Sequence, residues 1–96
     1  MRILFKAQIP VAKGNEAIKN GVLQRVVKTF LEQAKPESVI FTVEGGKRTM
    51  FAIFDMAKVE DMPRLGEPLF MELEAAIDIT PGMNAQELAT GLQSMG

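Results

Sequence analysis

Residues 38–56 read SVIFTVEGGKRTMFAIFDM. β-branched and aromatic residues are frequent on both sides of Gly45-Gly46, and a glycine pair is typical of the two-residue turns that join antiparallel strands. The stretch therefore predicts a β-hairpin with strands over Ser38–Glu44 and Lys47–Met56. A two-glycine loop would place these residues opposite each other: Glu44 and Lys47, Thr42 and Thr49, Phe41 and Met50, Ile40 and Phe51.

The segments at either end of the chain predict two more strands. Apolar residues alternate with others in residues 2–9, which places these side chains on one side: Ile3, Phe5, Ala7 and Ile9. Residues 75–80 alternate in the same way, with Ile77 and Ile79 on one face. Together with the hairpin, these segments supply four strands.

An apolar stripe at three- and four-residue intervals predicts a long helix between the first strand and the hairpin. Asn15 is a suitable N-cap after a loop at Lys13-Gly14, and the stripe continues to about Ala34. Gly21 interrupts it at a cost of about 1 kcal/mol relative to alanine. The prediction is one helix from Asn15 to about Ala34.

A second helix is expected over Val59–Leu73. Pro68 lies inside it and should kink or split it, because proline lacks the backbone N–H that a helix interior needs. Further along, the spacing of Asn84 and Glu87 resembles a capping box. It predicts a short final helix.

The order strand-helix-strand-strand-helix-strand indicates a ferredoxin-like α+β fold, with residues 1–96 as one domain. Right-handed crossovers then give an antiparallel four-stranded sheet of order 4-1-3-2 with both helices on one face. We expect these helices to cover Ile3, Phe5, Phe41, Val43, Met50, Ile77 and Ile79.

The other face of the predicted sheet carries no helix. Its side chains should be Leu4, Lys6, Gln8, Ile40, Thr42, Thr49, Phe51, Ile53, Asp78 and Thr80. A face in contact with water is nearly all polar, whereas four of these residues are large and apolar. The simplest cover is a second copy of the chain, which would give a homodimer of the dimeric α+β barrel type. Its interior would be a cavity for a small organic ligand or an interface filled by side chains.

Polar residues on this face are the candidate site. Lys6 and Asp78 are expected on neighbouring strands, where they are the candidate catalytic residues or else a rim salt bridge worth about 0 to 1 kcal/mol. The candidate ligand-binding residues are Lys6, Gln8, Thr42, Phe51, Asp78 and Thr80.

The composition excludes several kinds of catalytic and metal-binding site. The chain has no cysteine and no histidine, which removes thiolate nucleophiles, cysteine-ligated metals and the commonest general base. We therefore expect no metal site and no cofactor. The sequence also shows no secretory signal and no apolar run of about 20 residues that would span a membrane, so a cytoplasmic protein without membrane contact is expected.

Charge is unevenly distributed along the chain. The net charge is −1, but residues 1–48 are basic overall and residues 49–96 are acidic overall. Without a compact basic run or a glycine-aromatic RNA-binding pattern, this split does not predict nucleic-acid binding. It predicts instead that the basic first helix lies beside the acidic second helix.

Several short motifs carry a resemblance to known proteins. They are Gly45-Gly46-Lys47-Arg48, Phe54-Asp55-Met56, Glu67-Pro68-Leu69-Phe70, Thr80-Pro81-Gly82-Met83-Asn84 and Glu87-Leu88-Ala89. In these motifs the chain resembles an uncharacterised family of small bacterial hypothetical proteins, which implies no catalytic residues. In strand order and size it is similar to dimeric α+β barrels, which include antibiotic-biosynthesis-type monooxygenases and muconolactone-isomerase-like proteins.

Three functional hypotheses remain open from the sequence. The first is a homodimeric domain of otherwise unknown function that binds a small organic molecule between its facing sheets. The second is a cofactor-independent isomerase or monooxygenase of the barrel type, which would use Lys6 and Asp78 on a substrate held against Phe51. The third is a structural protein-interaction module that docks a partner through the acidic surface of residues 60–74.

Overall fold

The computed structural model describes residues 1–96 as an α+β structure of one four-stranded sheet and four α-helices. Its elements follow in this order: β1 (Arg2–Ile9), α1 (Val11–Lys19), α2 (Val22–Ala34), β2 (Ser38–Glu44), β3 (Lys47–Asp55), a 3₁₀ turn (Val59–Asp61), α3 (Met62–Leu73), β4 (Ala76–Pro81) and α4 (Ala85–Gln93). No helix is both long and apolar enough to cross a bilayer.

The sheet is antiparallel throughout, with the strand order β2-β3-β1-β4. From the opposite edge this order reads 4-1-3-2. The four cross-strand pairs predicted for the hairpin are all present. Gly45 has φ 60° and Gly46 has φ 78°, the left-handed backbone that a primed two-residue turn requires and that glycine adopts without strain.

The core lies between the sheet and helices α2 and α3. Three phenylalanines meet at its centre. The ring centre of Phe5 on β1 lies 4.8 Å from that of Phe30 on α2, and the ring centre of Phe54 on β3 lies 5.9 Å from both. Leu69 and Leu73 of α3 complete it and are almost wholly buried. The predicted neighbourhood of basic and acidic helices is confirmed, because Arg25 of α2 forms an ion pair with Glu72 of α3 at 2.6 Å.

The single long helix predicted after β1 is wrong in two respects. Helix α1 begins at Val11, so Lys13-Gly14 is helical and Asn15 is not an N-cap. Gly14 is buried, and a Cβ there would meet the Arg48 side chain, so its glycine serves close packing. The helix then breaks at Gly21, whose φ of 81° ends α1, and the Asn20 side chain accepts a hydrogen bond from the Val22 amide at 3.0 Å.

Of the two outcomes predicted for Pro68, a kink or a split of the second helix, the split does not occur. A 3₁₀ turn occupies residues 59–61, and α3 then runs unbroken from Met62 to Leu73 with Pro68 inside it. Pro68 cannot donate a backbone hydrogen bond, and this costs the helix free energy. The burial of Leu65, Leu69 and Leu73 in the core stabilises the same helix by more.

Strand β2 is mostly uncovered: of its seven residues only Val39 is half-buried, and it packs against the core. Phe41 and Val43 were expected beneath a helix, but their exposed fractions are 55% and 69%. The reason is the width of the helical layer: α2 and α3 pack over the middle of the sheet, and the edge strand β2 packs mainly against β3. Two apolar side chains therefore lie uncovered on the side that also carries the helices.

Helix α4 begins as the sequence predicts. The Asn84 side chain accepts a hydrogen bond from the Glu87 amide, and the Glu87 carboxylate accepts one from the Asn84 amide, both at 2.8 Å. Glu87 also forms an ion pair with Arg2 of β1. These contacts anchor the start of α4 beside the first residues of β1, but no residue of α4 is buried.

The molecule is extended for its length. Its radius of gyration is 15.2 Å, whereas a compact chain of 96 residues has one of about 12.5 Å. Only 19 of the 96 residues are buried. Many large apolar side chains are therefore exposed.

Candidate functional site

The sheet face opposite the helices, here called the open face, carries the candidate residues in three rows across the strands. Directly opposed residues of antiparallel strands point to the same side. The central row is Ile40, Phe51, Lys6 and Asp78; the rows on either side are Thr42, Thr49, Gln8 and Ala76, and Ser38, Ile53, Leu4 and Thr80. All six predicted ligand-binding residues thus lie on one face within three adjacent rows.

Apolar side chains form a belt through the middle of the open face. Ile40 is 60% exposed, Leu4 47% and Phe51 37%, while Ile53 is half-buried. A shallow depression of roughly 410 Å³ lies in this belt. Four of the six predicted residues line it, namely Lys6, Phe51, Asp78 and Thr80, and the belt residues Leu4 and Ile53 complete its wall.

Lys6 has a different partner from the one the sequence suggested. Its ammonium donates a hydrogen bond to the Glu44 carboxylate at the end of β2, and no ion pair joins it to Asp78. Its Nζ lies 5.8 Å from the centre of the Phe51 ring, which fits a cation–π contact. The hydrogen bond that Lys6 donates to Glu44, with a smaller contribution from the Asp78 charge, raises the pKa of Lys6 above its usual value. Lys6 is therefore held as a cation.

The row beside Lys6 is a small hydrogen-bonded group. The Gln8 amide donates to the Thr49 hydroxyl at 3.3 Å and to the Glu44 carbonyl at 3.1 Å, and the Thr49 hydroxyl donates to the Lys47 carbonyl at 3.0 Å. These bonds tie β1 to the hairpin. Gln8 and Thr42 lie outside the depression, so the structure separates them from the other four candidates.

Asp78 is the one depression residue with an unmatched charge. It is exposed on the edge strand β4, directly opposite Lys6, and it belongs to no ion pair. Thr80 follows two residues later on the same face and supplies a hydroxyl at the rim. The depression thus offers an apolar wall, a hydroxyl and a free carboxylate.

Two residues of this face were missed as site residues. Glu44 orients Lys6, and Thr49, which is only 3% exposed, anchors Gln8. The alternation Ile40, Thr42, Glu44 along β2 would have placed Glu44 on the open face. The alternation does not show that the long side chains of Lys6 and Glu44 meet diagonally across β3.

The structure contains no group of three or more Asp or Glu side chains arranged to hold a metal ion. No protein-family model matches the chain, and no curated protein matches its sequence. The side chains of the open face therefore carry the functional argument.

Proposed function

We propose that this protein is a homodimer of ferredoxin-like chains whose open faces pack together as a dimeric α+β barrel and enclose a site for a small organic molecule. The observation that carries the proposal is the apolar belt of the open face, where Leu4, Ile40 and Phe51 are exposed, and the surface area of the chain agrees with it. The chain exposes 6247 Å², whereas a compact monomer of 10.6 kDa exposes about 5,500 Å². This excess of about 750 Å² belongs to the whole chain, which includes the unburied helix α4, and the exposed surface of Leu4, Ile40 and Phe51 is the part of it on the open face.

The open face has the anatomy of a self-complementary interface. Its apolar belt is central, and polar groups surround it: Ser38, Thr42, Gln8 and Thr80. A two-fold axis would bring the same patch of both chains together, as most homodimers do. Burial of the remaining exposed parts of Leu4, Ile40 and Phe51 on both chains supplies the hydrophobic driving force.

The depression gives the enclosed site its chemistry. Its volume of roughly 410 Å³ lies in the range of about 300–1,000 Å³ that is common for ligand pockets. The charge of Lys6 is matched by Glu44, whereas Asp78 has no ion pair. A ligand with an apolar body against Phe51 and a cationic head at Asp78 fits this arrangement best.

Two measurements test the proposal. Light scattering should give a mass near twice 10.6 kDa at micromolar concentration, and a monomer at 100 µM would contradict the dimer. Titration of ¹⁵N-labelled protein with benzylamine should shift amide signals of β1 and β4 around Lys6 and Asp78, while benzoate should not. Asp78→Asn should remove the benzylamine shifts, and Asp55→Asn, at the end of β3, is the matched control. Equal shifts with both compounds would contradict a cation site.

The enzyme hypothesis receives less support from the same geometry. A lysine acts as a base only when its pKa is lowered toward the working pH. Here the hydrogen bond that Lys6 donates to Glu44 raises the pKa of Lys6, so even less of this residue than of a free lysine is in the neutral form that could accept a proton. The site supports binding of a cationic ligand by Phe51 and Asp78, and the proposal includes no turnover.

The interaction-module hypothesis is weakened by ion pairs within the chain. Glu72 is paired with Arg25, Glu74 lies 3.9 Å from Lys13, and Asp61 lies 3.6 Å from Arg64. Much of the acidic charge over residues 60–74 is therefore matched internally, and it offers little to a basic partner.

A further inference from the structure

A second apolar concavity lies on the helical side of the sheet, away from the open face. Here it is called the α2–β2 groove and is defined by Leu23 and Val27 of α2, Phe41 and Val43 of β2, and Arg48 of β3. Its volume of roughly 500 Å³ lies in the range of about 300–1,000 Å³ that is common for ligand pockets. Phe41 and Val43 are exposed, so the groove is open to solvent along this edge of the sheet.

The strand register places the one charge of the groove at its end. On the helical side of the sheet, Arg48 lies directly opposite Val43. In the next row toward the start of β2, Met50 lies opposite Phe41. Val39, in the row after that, is half-buried against the core and lies outside the groove. Four residues along a strand separate the first row from the last by about 13 Å. The groove is therefore a short apolar trough with a cation at its hairpin end.

Arg48 is the one arginine of the chain without a carboxylate partner. The other arginines all form ion pairs: Arg2 with Glu37 and Glu87, Arg25 with Glu72, and Arg64 with Asp61. No ion pair includes Arg48, and no acidic residue lines the groove. The positive charge of Arg48 is therefore available to an anion from outside the chain.

Helix α1 holds the Arg48 guanidinium in place. Its Nη2 donates a hydrogen bond to the side-chain oxygen of Asn15 at 2.9 Å, and the backbone of Gly14 lies so close that a Cβ there would meet Nη1. The bond to Asn15 uses a single N–H, so the guanidinium has further N–H groups to donate. A guanidinium with free N–H groups suits a carboxylate, which it can bind through two parallel hydrogen bonds.

We infer that the α2–β2 groove binds an amphipathic carboxylate, a small acid with an unbranched apolar chain. The carboxylate accepts hydrogen bonds from Arg48, and the chain lies along the trough against Leu23, Val27 and Phe41, where burial of apolar surface favours binding. The length of about 13 Å suits a medium-length alkyl chain. A cationic ligand would be repelled by Arg48, and a neutral one would leave that charge without a partner.

This site is separate from the one proposed on the open face. The two lie on opposite sides of the sheet, and the residues of the open-face depression prefer a cation at Asp78, whereas Arg48 prefers an anion. The inference therefore does not rest on the open-face dimer or on its ligand. Methyl groups report on the two sites separately, since Leu23, Val27 and Val43 lie in the groove and Leu4 and Ile40 lie on the open face.

A titration followed by methyl NMR tests the preference for an anion. Octanoate, octan-1-ol and octylammonium have the same chain and differ in the charge of the head group. Octanoate should shift the methyl signals of Leu23, Val27 and Val43 and bind at least ten times more tightly than octan-1-ol, because hydrogen bonds to a charged group are the strong ones. Octylammonium should bind the groove no better than octan-1-ol. Equal affinities for octanoate and octan-1-ol would overturn the inference, and so would the absence of these shifts at millimolar octanoate.

The role of Arg48 is tested by two variants and a matched control. Arg48→Gln should lower the affinity for octanoate to that for octan-1-ol. Lys47→Gln removes the same charge from the neighbouring residue, which points to the open face opposite Glu44, and it should leave octanoate binding unchanged. An equal loss in both variants would overturn the inference, because it would show only an effect of general positive charge.

Val43→Glu keeps the test decisive if Arg48→Gln fails to fold. It places a carboxylate directly opposite Arg48 on the edge strand β2, where charged side chains are well tolerated. Arg48 then has a partner within the chain, so octanoate should lose its advantage over octan-1-ol. An advantage that persists in this variant would contradict the inference. The benzylamine shifts around Asp78 should remain in both variants, so failure of the groove site can be told from failure of the open-face site.

Discussion

Replacing Ile40 by aspartate should weaken self-association by roughly 30- to 700-fold. Full burial of an isoleucine side chain stabilises by about 1.5–3 kcal/mol. Ile40 is 60% exposed in the free chain, so a covering partner gains about 1–2 kcal/mol from it, and two-fold symmetry doubles this to about 2–4 kcal/mol. Each 1.4 kcal/mol or so changes the dissociation constant by about a factor of ten, so this loss of free energy gives the stated range. Repulsion between the two introduced carboxylates, one from each chain, would weaken the dimer further.

The assay is sedimentation velocity over a concentration series, with Val59→Asp as the matched control. Val59 is 63% exposed, nearly as exposed as Ile40, but it lies in the 3₁₀ turn after β3, away from the open face. Ile40 is on an edge strand, where charged side chains are well tolerated, so both variants should fold. If Ile40→Asp and the control shift the dissociation constant equally, or neither shifts it, the open face is not the interface.

Two further outcomes concern the fold and its ionic contacts. Leu73→Ala, at a wholly buried position, should lower the free energy of unfolding by about 3–5 kcal/mol in urea titrations, and a loss below about 1 kcal/mol would contradict the core described above. The pKa of Glu87 is lowered, chiefly by the hydrogen bond from the Asn84 amide and further by Arg2. The stability that ionised Glu87 gives to α4 is therefore fully present above the ordinary glutamate pKa. It is lost as the pH falls through the lowered pKa. Amide exchange in α4 should therefore speed up below about pH 4 beyond its intrinsic pH dependence, and Glu87→Gln should show no such extra change.

The features that could be predicted from the sequence are those set by local chemistry. The glycine pair fixes the turn, the turn fixes the register, and a two-residue period then assigns every strand side chain to one face or the other. This is why the ten residues expected on the open face all lie there. The capping box of α4 is equally local, and both of its hydrogen bonds are present.

The features that could not be predicted depend on distances between elements. Alternation places Phe41 on the helical side, but whether a helix reaches it depends on where α2 crosses the sheet. The helix that starts at Val11 buries Gly14 beside Arg48, a residue 34 positions later in the chain. Likewise, Lys6 turns to Glu44 because two flexible side chains meet across β3, although the register places Asp78 directly opposite.

The exposure of the edge strand β2 affects how fast the protein is degraded in a cell. None of its seven residues is buried. In a free chain β2 is held by its hydrogen bonds to β3, by half-buried Val39 and by the bonds that Lys6 and Gln8 donate to Glu44, and a strand with so little buried surface opens locally at small cost in free energy. Proteases cleave opened segments. Under the proposed association, a partner closes over β2, and dilution uncovers it again. The rate of degradation per molecule would then fall as the concentration of the protein rises.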